Sequence, residues 1–349
     1  MRVGIVNDQR LATEALRRIV LSDPDHQVAW TAVDGNDAVQ KCQADLPDVV
    51  LMDLVMPVMN GAQATRQIMQ RTPCPVLVVT ATVSGNYALV CEALGYGAYD
   101  AVCTPTLGDL SPQQAGADLL RKMNSVDQIR RQTDPGAQRQ PASPCAACAG
   151  PGTDTSDVPL VAIGASTGGP QALETIISAW PADFPAAVVV VQHIGADFAG
   201  SLAQWLSERS HLPARPVVPG DAPQPATVLV AATNDHLVLN KQRHFTYRTE
   251  PATSPYRPSV DTLFESLADN WPAPSIAAVL TGIGRDGATG LLRLRQCGWY
   301  TIAQDQATSV VYGMPQAAAE LGAAKRILPL QHIANHIQTH ITRTQPRKP

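Results

Sequence analysis

Short apolar runs alternate with longer amphipathic segments along most of this chain. In the first third, the runs that predict buried strands are Arg2–Val6, Gln27–Ala32, Asp48–Met52, Val76–Thr80 and Tyr99–Cys103. In the remainder, they include Leu160–Ile163, Ala187–Gln192, Thr227–Ala231, Ile276–Leu280 and Tyr300–Ala303. Because helical patterns separate these runs, both parts are predicted to be α/β folds with mostly parallel sheets.

The alternation stops once, between about Asn124 and Asp157. This stretch includes QTDPGAQRQPASPCAACAGPGTDTSD, which is rich in Pro, Gln, Ala and Thr and lacks apolar periodicity. Such a composition is typical of a flexible linker. We therefore predict one domain over residues 1–123, a linker over 124–156 and a second domain over 157–345.

Bulk composition narrows the function classes. The 349 residues carry a net charge of −4, which favours neither nucleic acid nor an anionic membrane as a partner. The apolar stretches are too short to span a bilayer, and MRVGIVNDQR lacks the apolar core of a signal peptide. Seven cysteines, mostly in apolar segments, suit a reducing compartment, so we expect a cytoplasmic protein.

Cys145 and Cys148 form a CxxC, but without a second pair or a nearby His they favour plain linker sequence over a metal or redox site.

Polar side chains follow three predicted strands of the first domain. Asp8 follows the first strand, Asp53 follows the third, and Thr80 ends the fourth. The carboxyl ends of neighbouring strands meet in one crevice of a doubly wound sheet, so these side chains should converge. Clustered carboxylates repel unless a cation neutralises them, and Mg²⁺ suits one or two carboxylates plus a phosphoryl oxygen.

The segment VVLMDLVMPVMNG, around Asp53, resembles the receiver domain of bacterial response regulators, and the resemblance covers residues 1 to about 123. It implies a doubly wound, flavodoxin-like fold in which a histidine kinase supplies the phosphoryl group that Asp53 accepts. It also implies Mg²⁺ at Asp8 and Asp53, with Thr80 in contact with the phosphoryl group.

Two positions depart from the receiver pattern. Asn7 replaces the first residue of an acidic pair, which removes one charge from the metal site. Thr104 replaces a lysine before proline, which removes the cation that would contact the phosphate. The strength of phosphorylation therefore stays open, and a receiver that is no longer phosphorylated is the alternative.

The second domain begins with a strand that ends in Gly164-Ala165-Ser166-Thr167-Gly168. This fits G-x-S-x-G, in which small residues let the chain turn sharply from strand to helix and expose the serine hydroxyl. Apolar residues at helical spacing follow, with Pro170 in the first turn. The alternative is a glycine-rich phosphate loop at a helix N-terminus, although no lysine follows as in a P-loop.

The stretch TGIGRDGATG follows the apolar run Ile276–Leu280. Its Gly282-x-Gly284-x-x-Gly287 matches the dinucleotide-binding fingerprint, and Asp305 follows at about the distance of a ribose contact. That fingerprint should open the first βα unit of its domain, however, and here it comes late. A nicotinamide-dependent oxidoreductase is therefore disfavoured.

Three polar residues of the second domain follow apolar strands: Ser166, His193 and Asp286. A serine needs a base to become nucleophilic, and the imidazolium that forms needs an orienting carboxylate. A lone histidine is more often structural than catalytic, but one crevice can gather all three. Together they predict a Ser-His-Asp hydrolase.

Five segments resemble the signatures of the chemotaxis response regulator methylesterases, which pair a receiver with a C-terminal esterase domain: GASTGGP, VVVQHI, PYRPSVDTLFESLA, LTGIGRDGATG and VYGMPQAA. The resemblance implies that Ser166 is the nucleophile, His193 the general base and Asp286 its partner. It implies hydrolysis of glutamyl methyl esters on methyl-accepting chemoreceptors, with deamidation of glutamines in many members and no cofactor for the esterase.

The same resemblance also implies roles for residues outside the triad. The backbone N–H groups of Thr167 and Ile283 are candidates for an oxyanion hole. Arg257 is a substrate-side candidate, with a surface loop arginine as the equal alternative. Arg285, beside Asp286, departs from the residue usual in the family.

The receiver departures VND and CTP resemble the methylesterases of Wsp-type surface-sensing systems, which control a diguanylate cyclase. We therefore favour an alternative chemosensory pathway, in which the receiver covers the esterase crevice until it is phosphorylated. The alternatives are a flagellar chemotaxis methylesterase and a catalytically inactive receiver-type adaptor.

Overall fold

A computed structural model describes residues 1–81, 83–105, 111–133, 158–252, 254–272 and 275–344. Contacts divide the chain into two compact units, Met1–Ala137 and Gln138–Pro349. The Cys145/Cys148 pair lies outside the described residues. None of the helices within the ranges above combines the length and apolarity needed to cross a membrane.

The first unit is a doubly wound parallel sheet. Its strands are β1 (Arg2–Val6), β2 (Gln27–Ala32), β3 (Val49–Met52), β4 (Val76–Thr80) and β5 (Asp100–Cys103). Its helices are α1 (Arg10–Val20), α2 (Gly35–Ala44), α3 (Gly61–Arg71), α4 (Val83–Gly95), α5 (Pro112–Ala115) and α6 (Ala117–Thr133). The strands pair in the order β2-β1-β3-β4-β5, so β3 lies between β1 and β4. The predicted receiver-type architecture is confirmed.

Helix α6 continues past the predicted start of the linker. The sequence predicts a linker from residue 124, but α6 extends to Thr133. Leu119, Met123 and Val126 recur at helical spacing and are buried, the first two in the core of the unit. Their burial holds the helix against the sheet. Composition missed this because polar residues outnumber the three apolar anchors.

The second unit is also α/β. Its strands are β6 (Leu160–Ala165), β7 (Ala187–Gln192), β8 (Ala214–Pro216), β9 (Val228–Val230), β10 (His236–Leu239), β11 (Phe245–Arg248), β12 (Ile276–Val279), β13 (Tyr300–Gln304) and β14 (Arg326–Leu328). Its helices are α7 (Gly169–Ile177), α8 (Ala196–Arg209), α9 (Val260–Asn270), α10 (Ala288–Gln296), α11 (Met314–Glu320) and α12 (Leu330–Thr344). The predicted α/β class of this unit is confirmed.

Seven of these strands form one parallel sheet in the order β14-β13-β12-β6-β7-β9-β8, while β10 and β11 form a separate hairpin. The central strands β6 and β7 are buried at every position, as expected of apolar runs covered on both faces. Gly164 lets helix α9 approach β6, because a Cβ at that position would lie 2.2 Å from the Val260 side chain. The N-terminus of α9 is thereby brought against the centre of the sheet.

Candidate active site

Three adjacent strands carry the predicted catalytic residues at one edge of the sheet. Ser166 directly follows β6, His193 directly follows β7, and Asp286 lies in the loop between β12 and α10. Strand β6 pairs with both β7 and β12, so the three strand ends are neighbours. All three residues are buried, with exposures of 1%, 8% and 4% respectively. The structure thus brings together the residues that the sequence placed at separate strand ends.

Asp286 orients the imidazole of His193. Its Oδ2 lies 2.7 Å from His193 Nε2. The carboxylate also accepts hydrogen bonds from Ser259 Oγ (2.9 Å), the Val260 N–H (2.6 Å) and the Asp261 N–H (3.0 Å). Burial acts to raise the pKa of Asp286, but the His193 contact and the N–H donors outweigh it and hold that pKa below its usual range. Asp286 is therefore an ionised, fully bonded anchor for the ring.

Ser166 Oγ and His193 Nδ1 are both buried and have no hydrogen-bond partner among the described residues, and the same holds for Thr167 Oγ1 and Gln192 Oε1 beside them. Since Nε2 donates to the ionised Asp286, Nδ1 carries the lone pair that can accept a proton. The described part of the chain shows no hydrogen bond between Ser166 and His193. The arrangement nevertheless supplies a histidine base that Asp286 orients and a serine hydroxyl that is not engaged in another hydrogen bond among the described residues.

A glycine turn carries the chain from Ser166 into the start of α7. Gly168 has φ 80°, in the left-handed region, and the Gly169 N–H donates to Ser166 O at 2.7 Å. Gln192 Nε2 also donates to Ser166 O, at 2.9 Å. A Cβ on Gly169 would lie 2.0 Å from Gln192 Oε1, so a larger residue there must displace the Gln192 side chain that bonds Ser166 O. The predicted strand-turn-helix with Pro170 in its first turn is confirmed.

The glycine-rich loop after β12 packs against the serine turn. The Ser166 N–H donates to Thr281 O at 3.0 Å, and a Cβ on Gly282 would lie 2.7 Å from Ser166 Cβ. Asp305 accepts hydrogen bonds from the N–H (3.0 Å) and hydroxyl (2.6 Å) of Thr308, in the turn after β13. The loop therefore contacts the serine turn closely, and Asp305 stabilises a turn of its own.

The two oxyanion-hole candidates have available N–H groups. Among the described residues, neither the Thr167 N–H nor the Ile283 N–H takes part in a hydrogen bond. The Thr167 carbonyl is fixed by a hydrogen bond, because Thr281 Oγ1 donates to Thr167 O at 2.8 Å. A substrate oxygen can therefore bond to either N–H without displacing an existing partner.

Sequence reasoning missed three residues around the base. The ring of Tyr256 stacks on His193, with centroids 4.9 Å apart and planes 19° apart. Ser259 caps α9 and bonds to Asp286, and its own N–H donates to His236 Nδ1 at 3.2 Å. Burial lowers the pKa of His236. Ser259 precedes apolar residues at helical spacing, and this pattern could have predicted the start of α9. It could not have predicted that Ser259 contacts Asp286.

Arg257 contacts loops of its own unit. Its Nε donates to Asn234 O at 2.9 Å, and its guanidinium also reaches Asp235 Oδ1 (3.0 Å) and Thr249 O (3.3 Å). Arg285 pairs with Glu320 at 3.3 Å, and both side chains are exposed. The structure therefore gives Arg257 a bracing role, and it leaves the substrate-side interpretation as a prediction.

The receiver pocket gathers its predicted residues around Asp53. The strands that carry Asp8 and Thr80 flank β3, which Asp53 follows, and Thr80 is buried. Asn7 Nδ2 donates to Asp53 Oδ2 at 3.2 Å, and Thr104 lies beside Thr80 through an N–H···O bond of 2.8 Å. Burial raises the pKa of Asp53, and the charge of Asp8 adds to that shift.

The residues of this pocket fit Mg²⁺ in part. The mutual influence of Asp8 and Asp53 indicates two carboxylates near one another, which matches the one or two that Mg²⁺ uses beside a phosphoryl group. Within the described ranges, no group of three or more His, Cys, Asp or Glu side chains is gathered as a metal site. Asp8 and Asp53 would thus hold the ion, with Asn7 as a donor to Asp53 rather than a third carboxylate.

The fold and the site define a two-part protein: a receiver-type unit with an acidic pocket, and an α/β unit in which a serine, a histidine and an aspartate follow three adjacent strands. Family comparison agrees with both parts. Residues 3–109 match the response regulator receiver domain, and residues 161–337 match the CheB methylesterase domain. The chain belongs to the CheB methylesterase family, and it is an enzyme of the carboxylic ester hydrolase class.

Similar proteins span the whole chain. A protein-glutamate methylesterase/protein-glutamine glutaminase of Burkholderia thailandensis is 51% identical and covers 100% of both chains. One from Burkholderia lata is 51% identical over 98% of this chain and 99% of its own. The crystal structure of the Thermotoga maritima CheB methylesterase catalytic domain aligns with a TM-score of 0.51 and 35% identity, covering 53% of this chain and 99% of that one.

Proposed function

We propose that this protein hydrolyses glutamyl methyl esters on methyl-accepting chemoreceptors through a triad of Ser166, His193 and Asp286. The observation that carries the proposal is the 2.7 Å bond between His193 and Asp286, together with Ser166 Oγ and His193 Nδ1, which are buried and have no partner among the described residues. Those two atoms are the pair between which a serine hydrolase moves its proton. The names of the relatives supply the glutamyl substrate.

In the acylation step, Ser166 Oγ attacks the ester carbonyl carbon while His193 Nδ1 accepts the hydroxyl proton. Asp286 stabilises the imidazolium that forms. The N–H groups of Thr167 and Ile283 receive the oxyanion, where one such donor contributes about 10²–10³ in rate in comparable enzymes. Collapse of the tetrahedral intermediate breaks the C–O bond, and the leaving methoxide takes the proton from His193 to give methanol.

Deacylation reverses the roles of the groups. His193 removes a proton from water, which attacks the glutamyl ester formed with Ser166. Collapse then returns the proton to Ser166 and leaves a free glutamate. The same intermediate can form from a glutamine side chain with ammonia as the leaving group. The glutaminase activity in the relatives' names supports this second reaction.

Control by the receiver is the second part of the proposal. A histidine kinase of the same pathway phosphorylates Asp53 with Mg²⁺ held by Asp8 and Asp53, and Thr80 contacts the phosphoryl group. The placement of these residues around one strand end supports this role. Phosphorylation relieves inhibition by the receiver, so a small phosphodonor should raise esterase activity of the wild type and leave the Asp53→Ala variant unchanged. Equal activation of both would contradict the assignment.

We further propose that the protein acts in the cytoplasm, in a Wsp-type surface-sensing pathway. The motifs VND and CTP, with Asn7 and Thr104 in place of charged residues, support that branch. A flagellar chemotaxis methylesterase is the second candidate. The bond between His193 and Asp286 argues against an inactive adaptor, because it keeps the base oriented.

Methanol release from methylated receptor membranes tests the function. The wild type should release methanol. Ser166→Ala should lose at least about 10³ in rate while it keeps the same melting temperature. Ser201→Ala, in helix α8, is the matched control and should behave as wild type. Wild-type rates in Ser166→Ala would overturn the nucleophile, and no release from folded, phosphorylated wild type would overturn the function.

A further inference from the structure

Tyr256 covers one face of the His193 imidazole. The two rings are nearly parallel, with their centroids 4.9 Å apart. Tyr256 is 9% exposed and His193 8%, so the stack excludes most water from this side of the base. The backbone of Tyr256 is itself fixed, because Ser254 Oγ donates to Tyr256 O at 3.0 Å and accepts from its N–H at 3.3 Å.

The other end of Tyr256 reaches the loop that carries the acid. The Arg285 N–H donates to the Tyr256 hydroxyl at 3.4 Å, and Arg285 directly precedes Asp286. One side chain therefore touches the ring of His193 and the backbone beside its carboxylate partner. Burial raises the pKa of Tyr256, so its hydroxyl stays neutral.

A single hydrogen bond does not fix the plane of an imidazole. Asp286 holds His193 at Nε2 only, and Nδ1 has no partner among the described residues. The ring can therefore swing about the Nε2 contact unless packing stops it. A parallel aromatic face restricts that swing, and its negative quadrupole favours the imidazolium that forms during catalysis.

We propose that Tyr256 is a positioning residue that holds the His193 ring so that Nδ1 faces Ser166. This inference rests on the proposed esterase function, which it deepens by naming a residue outside the triad. The aromatic ring carries the role through the stack, and the hydroxyl contributes only the weaker contact to the Arg285 N–H. The ring and hydroxyl can be separated by substitution.

The test uses the full-length protein, with methanol release measured from pH 5 to pH 9. Tyr256→Leu should lower kcat about 10- to 100-fold with KM within about threefold of wild type, because the chemistry rather than receptor binding is affected. The acid limb of its pH–rate profile should move to lower pH, because the imidazolium loses the aromatic face. Tyr256→Phe should keep kcat within about threefold.

Tyr300→Leu is the matched control. Tyr300 also stacks on a histidine, His340, with centroids 4.0 Å apart, but it lies away from the triad on β13. This variant loses a comparable stack and should keep the wild-type kcat and pH profile. Tyr256→Met is the second unstacked variant and replaces Leu if that protein does not fold.

The outcomes are distinct. Wild-type kcat and pH profile in Tyr256→Leu or Tyr256→Met would overturn the proposal. Loss in Tyr256→Phe equal to that in Tyr256→Leu would also overturn it, because the hydroxyl contact would then carry the role. Absence of methanol release from the wild type would contradict the esterase function itself, and this inference would fall with it.

Discussion

Asp286 caps helix α9, which contains Asp261, and Asp261 in turn caps helix α10, which follows Asp286. Asp286, just before α10, accepts the N–H groups of Val260 and Asp261 in the first turn of α9. Asp261, in that turn of α9, accepts the Gly290 N–H in the first turn of α10 at 2.6 Å. Helix N-termini attract negative charge and present unpaired N–H donors. The two helices are thereby locked together at the point where Asp286 meets His193.

The reciprocal caps predict an unusual pH dependence of stability. Burial, followed by the charge of Asp286, raises the pKa of Asp261 well above its usual range. A raised carboxyl pKa stabilises the fold below the unfolded pKa of about 3.9, and that stability is lost as pH rises towards the folded pKa. Asp261→Asn keeps a side-chain oxygen that can accept the Gly290 N–H but cannot ionise, so this variant does not lose stability as the pH rises. Its free energy of unfolding relative to wild type should therefore increase from pH 4 to pH 7.

Denaturant unfolding of both proteins at several pH values checks this prediction. Asp269→Asn is a suitable control, because Asp269 is an exposed acid further along α9 that pairs with Arg293. A relative stability of Asp261→Asn that falls with rising pH would mean that Asp261 is ionised and needed as a charge.

The contact between Gly282 and Ser166 predicts a steric loss of activity. A Cβ at residue 282 would lie 2.7 Å from Ser166 Cβ, so Gly282→Ala must displace the nucleophile or its turn. Displacement of a reacting group by about 1 Å can cost about 10² in rate, and we expect a loss of that order in kcat. Gly200→Ala is the control, because Gly200 lies in α8 with no atom near its missing Cβ. It should keep full activity and gain about 0.5–1 kcal/mol in stability.

The contacts of Arg257 distinguish bracing from substrate binding. Its guanidinium bonds to Asn234, Asp235 and Thr249, so Arg257→Ala should lower the free energy of unfolding by about 1 kcal/mol. KM for methylated receptor should stay within about twofold of wild type if the residue only braces these loops. A raised KM with unchanged melting temperature would instead support the substrate-side role predicted from the family resemblance.

Asn7 lies beside the proposed Mg²⁺ site of the receiver. Its amide donates to Asp53, and Asn7→Asp replaces that donor with a third carboxylate beside Asp8 and Asp53. Without metal, the added repulsion should destabilise the receiver. With Mg²⁺, the additional ligand should raise affinity about tenfold. The melting temperature with and without Mg²⁺ measures both effects. Asp8→Asn should abolish the Mg²⁺ dependence, and retention of it there would place the ion elsewhere.

Local sequence patterns were enough to predict much of the fold. The apolar runs predicted all five strands of the first sheet and five of the seven in the second, because a strand buried on both faces is continuously apolar. The short edge strands β8 and β14 are not fully buried and escaped this signal. The edge that gathers Ser166, His193 and Asp286 followed from the rule that parallel strands share a carboxyl end. Helix α6 runs past residue 124, where the linker is predicted to begin, and the buried Val126 in it is a contact that composition does not reveal.

The finer parts of the site depend on contacts between distant segments. No local pattern around Asp286 specifies that it caps α9, or that it bonds Nε2 of His193 rather than Nδ1. The stack of Tyr256 on His193 likewise joins a loop to a strand end far away in sequence. Such relations follow from the packing of α9 against β6, where Gly164 admits Val260.

The position of β12 in the sheet has a consequence for synthesis of the protein. Ser166 and His193 follow β6 and β7, but Asp286 follows β12, which pairs with the other side of β6 and is synthesised later. Until then, His193 has no carboxylate to orient it. A chain that ends before β12 therefore carries Ser166 and His193 but lacks the carboxylate that bonds the imidazole.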